Sequence, residues 1–193
     1  KYALPTTGKT VQTLATLRTD LYTQKELQRM LFADALVVYT DRTKEKLTAL
    51  GFQNVTRIYP GIDIYKYARE TRKSYLQFQL DLKPEDYVVM YPGEYTRLGA
   101  TDMLVEFCSK FIKDSIHPHF RFVFACRVKN KADAEKKAEV IARLTEAGVI
   151  DYVRFSDTID DMPGLYNLAD IIVFPVSNLK GKFDVPLVII EAY

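Results

Sequence analysis

Short apolar runs alternate with longer amphipathic segments along the chain, and this alternation is the feature that most constrains the fold. A strand covered on both faces is a continuous apolar run, whereas a surface helix repeats its apolar residues every three or four positions. The strand-like runs are ADALVVY at 33–39, VTRIY at 55–59, YVVMY at 87–91, FRFVFAC at 120–126 and IIVFPV at 171–176. Their alternation with helical patterns predicts an α/β fold with a mostly parallel, doubly wound sheet.

Start and stop signals accompany the helical segments. Thr23 and Glu26 have the spacing of a capping box, and Gly51 follows a helical pattern as a left-handed stop. Further predicted elements are strands at 10–14 and 153–155 and helices at 101–113, 132–147, 161–168 and from Pro186 onward.

A polar stretch separates two such series. The turn PGID at 60–63 is followed by the charged run RETRK at 69–73. Because domain boundaries fall in exposed polar segments, we predict a first domain at 1–64, a linker at 65–74 and a second domain at 75–193. Residue 1 is not Met, and the sequence stops within an apolar helical pattern. We therefore expect further chain beyond Tyr193.

Composition excludes several classes of protein. The 27 basic and 25 acidic residues give a net charge of +2, so the chain has no overall nucleic-acid-binding signature. No apolar run reaches the roughly 18 residues that a membrane helix needs. Cys108 and Cys126 fall in predicted core elements, where thiols behave as small hydrophobes, and a reducing cytoplasm suits them. His117 and His119 have no cluster of ligands beside them, so no metal site is predicted.

Basic residues and glycines follow two of the predicted strands. Gly93 and Gly99 flank a loop that opens a helix and contains Arg97, and Arg127 and Lys129 follow the strand ending at Cys126. Parallel strands end at one edge of a sheet, where helix N-termini and Arg side chains bind phosphate groups. These residues form a candidate diphosphate site, although ordinary solvated loops would have the same composition.

Several motifs together resemble the family 4 retaining glycosyltransferases, which belong to the group 1 glycosyltransferases of the GT-B fold. ADALVVYT, TKEKLTALGF and VTRIYPGID are similar to the end of the family's acceptor domain. YVVMYPGEYTRLG, NLADIIVFP and FDVPLVIIEA are similar to its donor domain. The resemblance implies two Rossmann-like doubly wound domains, both incomplete. Residues 1–64 would be the C-terminal part of the acceptor-side domain, and 75–193 a truncated nucleotide-sugar donor-binding domain.

The resemblance assigns roles to residues near the end of the chain. Glu191 matches the second glutamate of the family's acidic pair and would bind the ribose hydroxyls, with a surface glutamate as the alternative. Phe183 occupies the position of the first acidic residue. The adjacent Asp184 would contact the donor sugar, or it would simply cap the helix that follows. Lys182 could join either arrangement.

Other positions agree less well with the family pattern. The loop Ser156, Asp157 and Thr158 would pass near the nucleotide base. Glu94 and Leu98, however, stand where the family has the Arg and Lys that bind phosphate. These differences leave Arg97, Arg127 and Lys129 as the candidate cations.

The resemblance implies a retaining, hexosyltransferase-type enzyme. It would move a sugar from a UDP- or GDP-sugar to a hydroxyl acceptor such as a glycan or a lipid-linked sugar. No metal or other cofactor is expected, and Glu191 and Asp184 are the candidate catalytic groups. We expect a cytoplasmic protein that binds no nucleic acid, and peripheral membrane contact through an absent segment stays open. A non-catalytic nucleotide-sugar-binding or scaffold protein and a nucleotide-sugar epimerase are the alternatives.

Overall fold

Parallel β-sheets organise the residues described by the structure, a computed structural model that covers 8–114, 118–157, 160–178 and 184–193. The described chain divides into two units, which are treated separately below. Residues 8–62 and 184–187 form the first unit, and residues 63–178 and 188–193 form the second. The predicted α/β class with parallel sheets is confirmed.

The first unit contains a three-stranded parallel sheet in the order β1-β2-β3. Its elements are β1 (Val11–Leu14), α1 (Gln24–Met30), β2 (Ala35–Val38), α2 (Asp41–Ala49) and β3 (Val55–Arg57). The predicted capping box at Thr23 and Glu26 is present at the start of α1. Leu27 of α1 and Leu47 of α2 bury their side chains against Leu36 and Val38 of the central strand. Burial of these apolar residues drives the assembly of the unit.

The second unit contains a four-stranded parallel sheet in the order β6-β5-β4-β7. Its elements are α3 (Ser74–Gln79), β4 (Tyr87–Tyr91), α4 (Thr101–Asp114), β5 (Phe120–Ala125), α5 (Lys131–Glu146), a 3₁₀ turn (Ile150–Tyr152), β6 (Val153–Ser156), α6 (Met162–Leu168) and β7 (Ile171–Ile172). The last helix, α7, spans Leu187–Ala192.

Side chains alternate across the central strand β4, as the two-residue period of a strand requires. Val89 and Tyr91 belong to one apolar cluster together with residues of α4 and α5. Val88 and Met90 belong to a second cluster together with residues of α3 and α6. Helices therefore cover both faces of the sheet, which explains why YVVMY has no polar side.

Both cysteines lie in the first of these clusters and are unpaired. Burial raises the pKa of the Cys108 thiol and that of the Cys126 thiol to about 12. At neutral pH both therefore stay protonated and behave as small apolar side chains, as the sequence predicted.

Two elements differ from the sequence predictions. The strand predicted at 171–176 is limited to Ile171–Ile172, although the Val173 N–H still donates to the Met90 carbonyl at 2.9 Å. Pro175 has no N–H to continue the ladder, and the Val176 N–H turns back to Phe174. Helix α3 was not predicted at all.

The charged run predicted as part of a linker lies within the second unit. The Arg72 guanidinium contacts the Asp170 carboxylate at 2.6 Å and the Asp86 carbonyl at 2.9 Å. The same Asp170 oxygen accepts the Val88 N–H at 2.7 Å. Hence Arg72 of this run pairs with residues that directly precede β4 and β7. The assignment of the two units to acceptor and donor domains stays a prediction.

Asp161 gives the second unit a predictable response to acid. Its carboxylate accepts the Gly164 N–H at 2.9 Å and the Lys73 ammonium at 2.8 Å, and the Tyr75 hydroxyl also donates to it. The bond from Lys73, followed by that from Tyr75, lowers the pKa of Asp161 to about 2. Because the folded-state pKa is below the unfolded value of 3.8, the ionised carboxylate stabilises the folded protein at pH values above 3.8. This stabilisation is lost as the pH falls through about 2.

We therefore expect Asp161→Asn to flatten the acid dependence of stability. Asparagine keeps the helix cap but loses the charge. The side chain is 25% exposed, so solvent screening reduces the effect to about 1–2 kcal/mol. Urea unfolding of both proteins at intervals between pH 6 and pH 2 measures it. If the free energy of unfolding fell equally with pH in the two proteins, the prediction would be contradicted.

Candidate functional site

The carboxyl ends of four parallel strands form one edge of the second sheet, here called the C-terminal edge. Strands β4, β5 and β6 succeed one another towards one side, and the chain then returns to place β7 on the other side of β4. The strand order therefore reverses between β4 and β7. In open α/β sheets, ligands bind in the crevice that such a reversal creates. The segments that follow β4, β5, β6 and β7 carry most of the residues proposed from the sequence.

Gly93 shapes the loop that follows β4. The buried ring of Tyr91 folds back beneath this loop, and its hydroxyl both accepts the Glu94 N–H and donates to the Glu94 carbonyl, each at 3.4 Å. A Cβ at Gly93 would lie 1.9 Å from Cζ of Tyr91. A glycine is therefore required here by a neighbouring ring. The role of Gly93 in binding a diphosphate stays a prediction.

Gly99 connects the loop after β4 to the segment after β7. Its φ of +71° lies in the left-handed region, and an added Cβ would lie 2.1 Å from the Ser177 Oγ. The N–H and hydroxyl of Ser177 donate to the Leu98 carbonyl at 3.0 and 3.2 Å. These contacts span the two strands between which the strand order reverses. Ser177 was not found from the sequence, where only the glycine marked a close approach.

Arg97 and Lys129, two of the predicted diphosphate-binding cations, converge on Glu94. The Glu94 residue is 5% exposed. Its carboxylate lies 2.6 Å from the Lys129 Nζ and 3.4 Å from the Arg97 Nε. Both cationic side chains remain about half exposed. A buried carboxylate needs such partners. The two cations therefore balance the charge of Glu94, the residue that departs from the family pattern.

Arg127 has a different environment. It is exposed after β5, and its side chain makes no hydrogen bond or ion pair with any residue in the described part of the chain. An Arg guanidinium in this state keeps its planar set of donors available for an anion.

Asp133 links the loops that follow β4 and β5, although the sequence analysis did not single it out. This carboxylate, 4% exposed, accepts the Thr96 hydroxyl at 2.8 Å and the Lys129 N–H at 3.2 Å. Asn130 in turn caps α5 by accepting the Asp133 N–H at 3.0 Å. The two loops are therefore joined by hydrogen bonds as well as by the ion pairs of Glu94.

The loop predicted to approach the base follows β6. Ser156 is buried at the end of the strand. The exposed Asp157 pairs with the Lys137 ammonium of α5, and that ammonium also lies 5.5 Å from the centre of the Phe155 ring. Thr158 lies outside the described residues, as does Lys182 near the end of the chain.

Glu191 and Asp184 lie in different units, and each has its own partners. In the second unit, the Tyr166 hydroxyl donates to the Glu191 Oε2 at 2.9 Å. Burial, followed by the charge of the nearby Glu191, raises the pKa of the Tyr67 phenol. In the first unit, the Asp184 carboxylate accepts the Thr43 hydroxyl. The Asp184 N–H donates to the Ala15 carbonyl at 2.9 Å. The two tyrosines were not found from the sequence, because no local pattern relates them to Glu191.

Two other features of the described residues bear on the site. They contain no group of three or more His, Cys, Asp or Glu side chains arranged to hold a metal ion. None of their helices combines the length and the apolar character needed to cross a membrane.

Comparison with known sequences finds similarity to glycosyltransferases. No family model matches the chain. Over 164 residues, or 79% of its length, it is 27% identical to the D-inositol 3-phosphate glycosyltransferases of Salinispora tropica and Salinispora arenicola. The chain spans 34% and 37% of those two relatives.

Solved structures share the fold. The Anabaena protein HepE in complex with UDP and glucose superposes with a TM-score of 0.72 at 18% identity, covering 94% of this chain and 49% of HepE. Sucrose-phosphate synthase from Thermosynechococcus elongatus gives 0.68 at 17% identity, with 94% and 47% covered. The C-terminal domain of LpcC, a glycosyl transferase group 1 family protein from Francisella tularensis, gives 0.54 at 23% identity, with 68% and 65% covered. The chain therefore has the GT-B fold in part and is similar over most of its length to a section of two glycosyltransferases.

Proposed function

We propose that the whole protein transfers a sugar from a nucleoside diphosphate sugar to a hydroxyl acceptor, and that the second unit binds the donor. The observation that carries this proposal is the similarity to named glycosyltransferases over 79% of the chain. The C-terminal edge supports it, because cationic side chains lie beside a reversal of strand order. The first unit, in this proposal, is the end of the acceptor-side domain.

The proposed chemistry relies on positioning and on charge. The acceptor oxygen forms a bond to the anomeric carbon, and the bond from that carbon to the diphosphate oxygen breaks with retention of configuration. The leaving diphosphate takes the electron pair, and one of its oxygens takes the proton that the acceptor hydroxyl gives up. Arg97, Arg127 and Lys129 would stabilise the charge that develops on the leaving group. We propose that these side chains act without a metal ion, which activity measured in the presence of EDTA would test.

Glu191 is proposed to bind the ribose and Asp184 the donor sugar. Ionised carboxylates accept hydrogen bonds at both oxygens, which suits a pair of neighbouring hydroxyls. HepE was solved with UDP-glucose as well as with UDP, so we favour a UDP-sugar over a GDP-sugar. A glycan or a lipid-linked sugar is the proposed acceptor, and the cytoplasm the proposed location.

A second candidate, a non-catalytic nucleotide-sugar-binding protein, is favoured by one observation. Glu94 neutralises part of the charge of Arg97 and Lys129. Phosphate groups must therefore compete with a carboxylate that is already in place. Transfer of sugar to an acceptor by the intact protein would decide for the enzyme. Binding without turnover would decide for the second candidate, and an altered sugar released on the same nucleotide would indicate an epimerase.

The first experiment is a calorimetric binding screen of the intact protein against UDP, GDP, ADP and their sugars. We expect one of these nucleotides to bind. Glu191→Ala should weaken its affinity about 10- to 100-fold, since hydrogen bonds to a charged group contribute about 1.5–3 kcal/mol. Glu146→Ala, which removes a carboxylate from the exposed end of α5, is the matched control and should bind as the unaltered protein does. Failure of a folded intact protein to bind any of these nucleotides would refute the donor site.

A further inference from the structure

Two tyrosine side chains lie beside the carboxylate of Glu191. Tyr166 lies in α6 and is 8% exposed, and its hydroxyl donates to the Glu191 Oε2 at 2.9 Å. Tyr67 lies in the segment before α3, close enough to the same carboxylate for the charge of Glu191 to add to the effect of burial in raising the pKa of its phenol. The centres of the two rings are 6.0 Å apart. We call Tyr67 and Tyr166 the tyrosine pair.

The surroundings hold both hydroxyls in place. Tyr166 is part of the apolar cluster under the sheet, and Tyr67 packs against that cluster. The Tyr67 N–H also donates to the Asp63 carbonyl at 3.1 Å. A tyrosine side chain has only two flexible torsions, so a packed ring leaves its hydroxyl little freedom. Burial, followed by the charge of Glu191, raises the pKa of both phenols, which therefore stay protonated donors near neutral pH.

Counting hydrogen bonds suggests what this arrangement does. An ionised carboxylate offers about four acceptor positions. Tyr166 uses one of them and a bond from the neighbouring Tyr67 would use a second, which leaves at least two at Glu191 as far as the described residues go. A vicinal diol, with two donors on neighbouring carbons, needs that number. Glu191 is partly exposed, so a ligand can approach it.

We propose that the tyrosine pair orients the Glu191 carboxylate so that its remaining acceptor positions recognise the ribose diol of the donor nucleotide. Tyr67 and Tyr166 are positioning residues that act through Glu191 and touch no reacting atom. This inference rests on the proposed function. It predicts a preference for ribonucleotides over deoxyribonucleotides that depends on side chains from three separate segments of the chain.

Phenylalanine substitutions test the proposal because they remove the hydroxyls and keep the rings. The probes are UDP and 2′-deoxy-UDP, whose affinities for the intact protein are measured by calorimetry. We expect the unaltered protein to prefer UDP. Tyr67→Phe and Tyr166→Phe should each weaken UDP binding about fivefold, less than the loss of a hydrogen bond to a charged group, because the Glu191 carboxylate itself remains. Binding of 2′-deoxy-UDP should change much less, so the ratio of the two affinities falls.

Tyr75→Phe is the matched control, since it also removes a phenol that donates to a carboxylate, in this case Asp161. It should leave the ratio unchanged. Glu191→Gln, which keeps the size of the side chain, should reduce the ratio even if a phenylalanine variant folds poorly.

The outcomes separate the inference from the proposed function. An equal loss of UDP and 2′-deoxy-UDP affinity in the phenylalanine variants would show that the hydroxyls only support packing, and it would overturn the inference. An unchanged ratio would overturn it as well, while UDP binding by the unaltered protein would leave the donor site standing. If the intact protein binds a different nucleotide in the screen and not UDP, the inference fails for uridine nucleotides, whereas the donor site survives. No binding of any nucleotide would remove both.

Discussion

Replacing Gly93 with alanine is expected to lower the free energy of unfolding of the second unit by about 3 kcal/mol, the upper part of the usual range for overpacking. The new Cβ would lie between 1.9 and 2.4 Å from three atoms of the Tyr91 ring. Tyr91 is fully buried and cannot swing aside, because its ring packs against Phe124 and Phe174. Either the loop after β4 or the core beneath it must shift.

A double-mutant cycle with Tyr91→Ala identifies the cause of the loss. Tyr91→Ala should itself cost about 3–5 kcal/mol. In that background, Gly93→Ala should add close to nothing, because the clashing ring is gone. Hydrogen exchange of the β4 and β5 amides reports on this unit directly. Gly61→Ala, where an added Cβ has no atom within 4 Å, is the control. A full additional loss in the Tyr91→Ala background would contradict the explanation.

Glu94→Gln should tighten the binding of a diphosphate about tenfold. In the unaltered protein, the Glu94 carboxylate lies beside both Arg97 and Lys129, where it repels an incoming phosphate and shares its cations. A charge a few ångströms away in a partly solvated site contributes about 1–3 kcal/mol. Glutamine keeps the shape and the hydrogen-bonding capacity of the side chain, and it removes the charge.

Calorimetry with pyrophosphate, UDP and uridine measures this effect. Affinity for pyrophosphate and UDP should rise and become more sensitive to salt, while any affinity for uridine should stay the same. Glu135→Gln removes an exposed carboxylate of α5 that pairs with Lys131, and it should have little effect. Weaker diphosphate binding by Glu94→Gln would mean that Glu94 holds the cations in position for the ligand instead of competing with it.

The strand and helix pattern was readable from the sequence because burial repeats with a fixed period. YVVMY is apolar throughout since helices cover both faces of β4. Helix α3 was not predicted, because it has only six residues and, among them, buries Leu76 alone. Its Phe78 is 89% exposed. So short a segment contains no period to detect.

The candidate site was only partly accessible from the sequence. The positions of Arg97, Arg127 and Lys129 after two parallel strands followed from strand order alone. The partnership of Glu94 with two of these cations did not, since it depends on how the loops fold over the edge. The contacts of Asp133, Ser177 and the tyrosine pair did not follow from the sequence either. Contacts between residues distant in sequence carry no local signature.

The buried cysteines make the chain convenient for labelling experiments. Thiol reagents attack the thiolate, and at neutral pH Cys108 and Cys126, with pKa values of about 12, present almost none of it. The sequence contains no other cysteine. A reporter dye could therefore be attached through a single cysteine introduced at Val128, which is 38% exposed in the loop after β5. The native thiols would not need to be removed, and nucleotide binding could be followed by fluorescence beside the cations themselves.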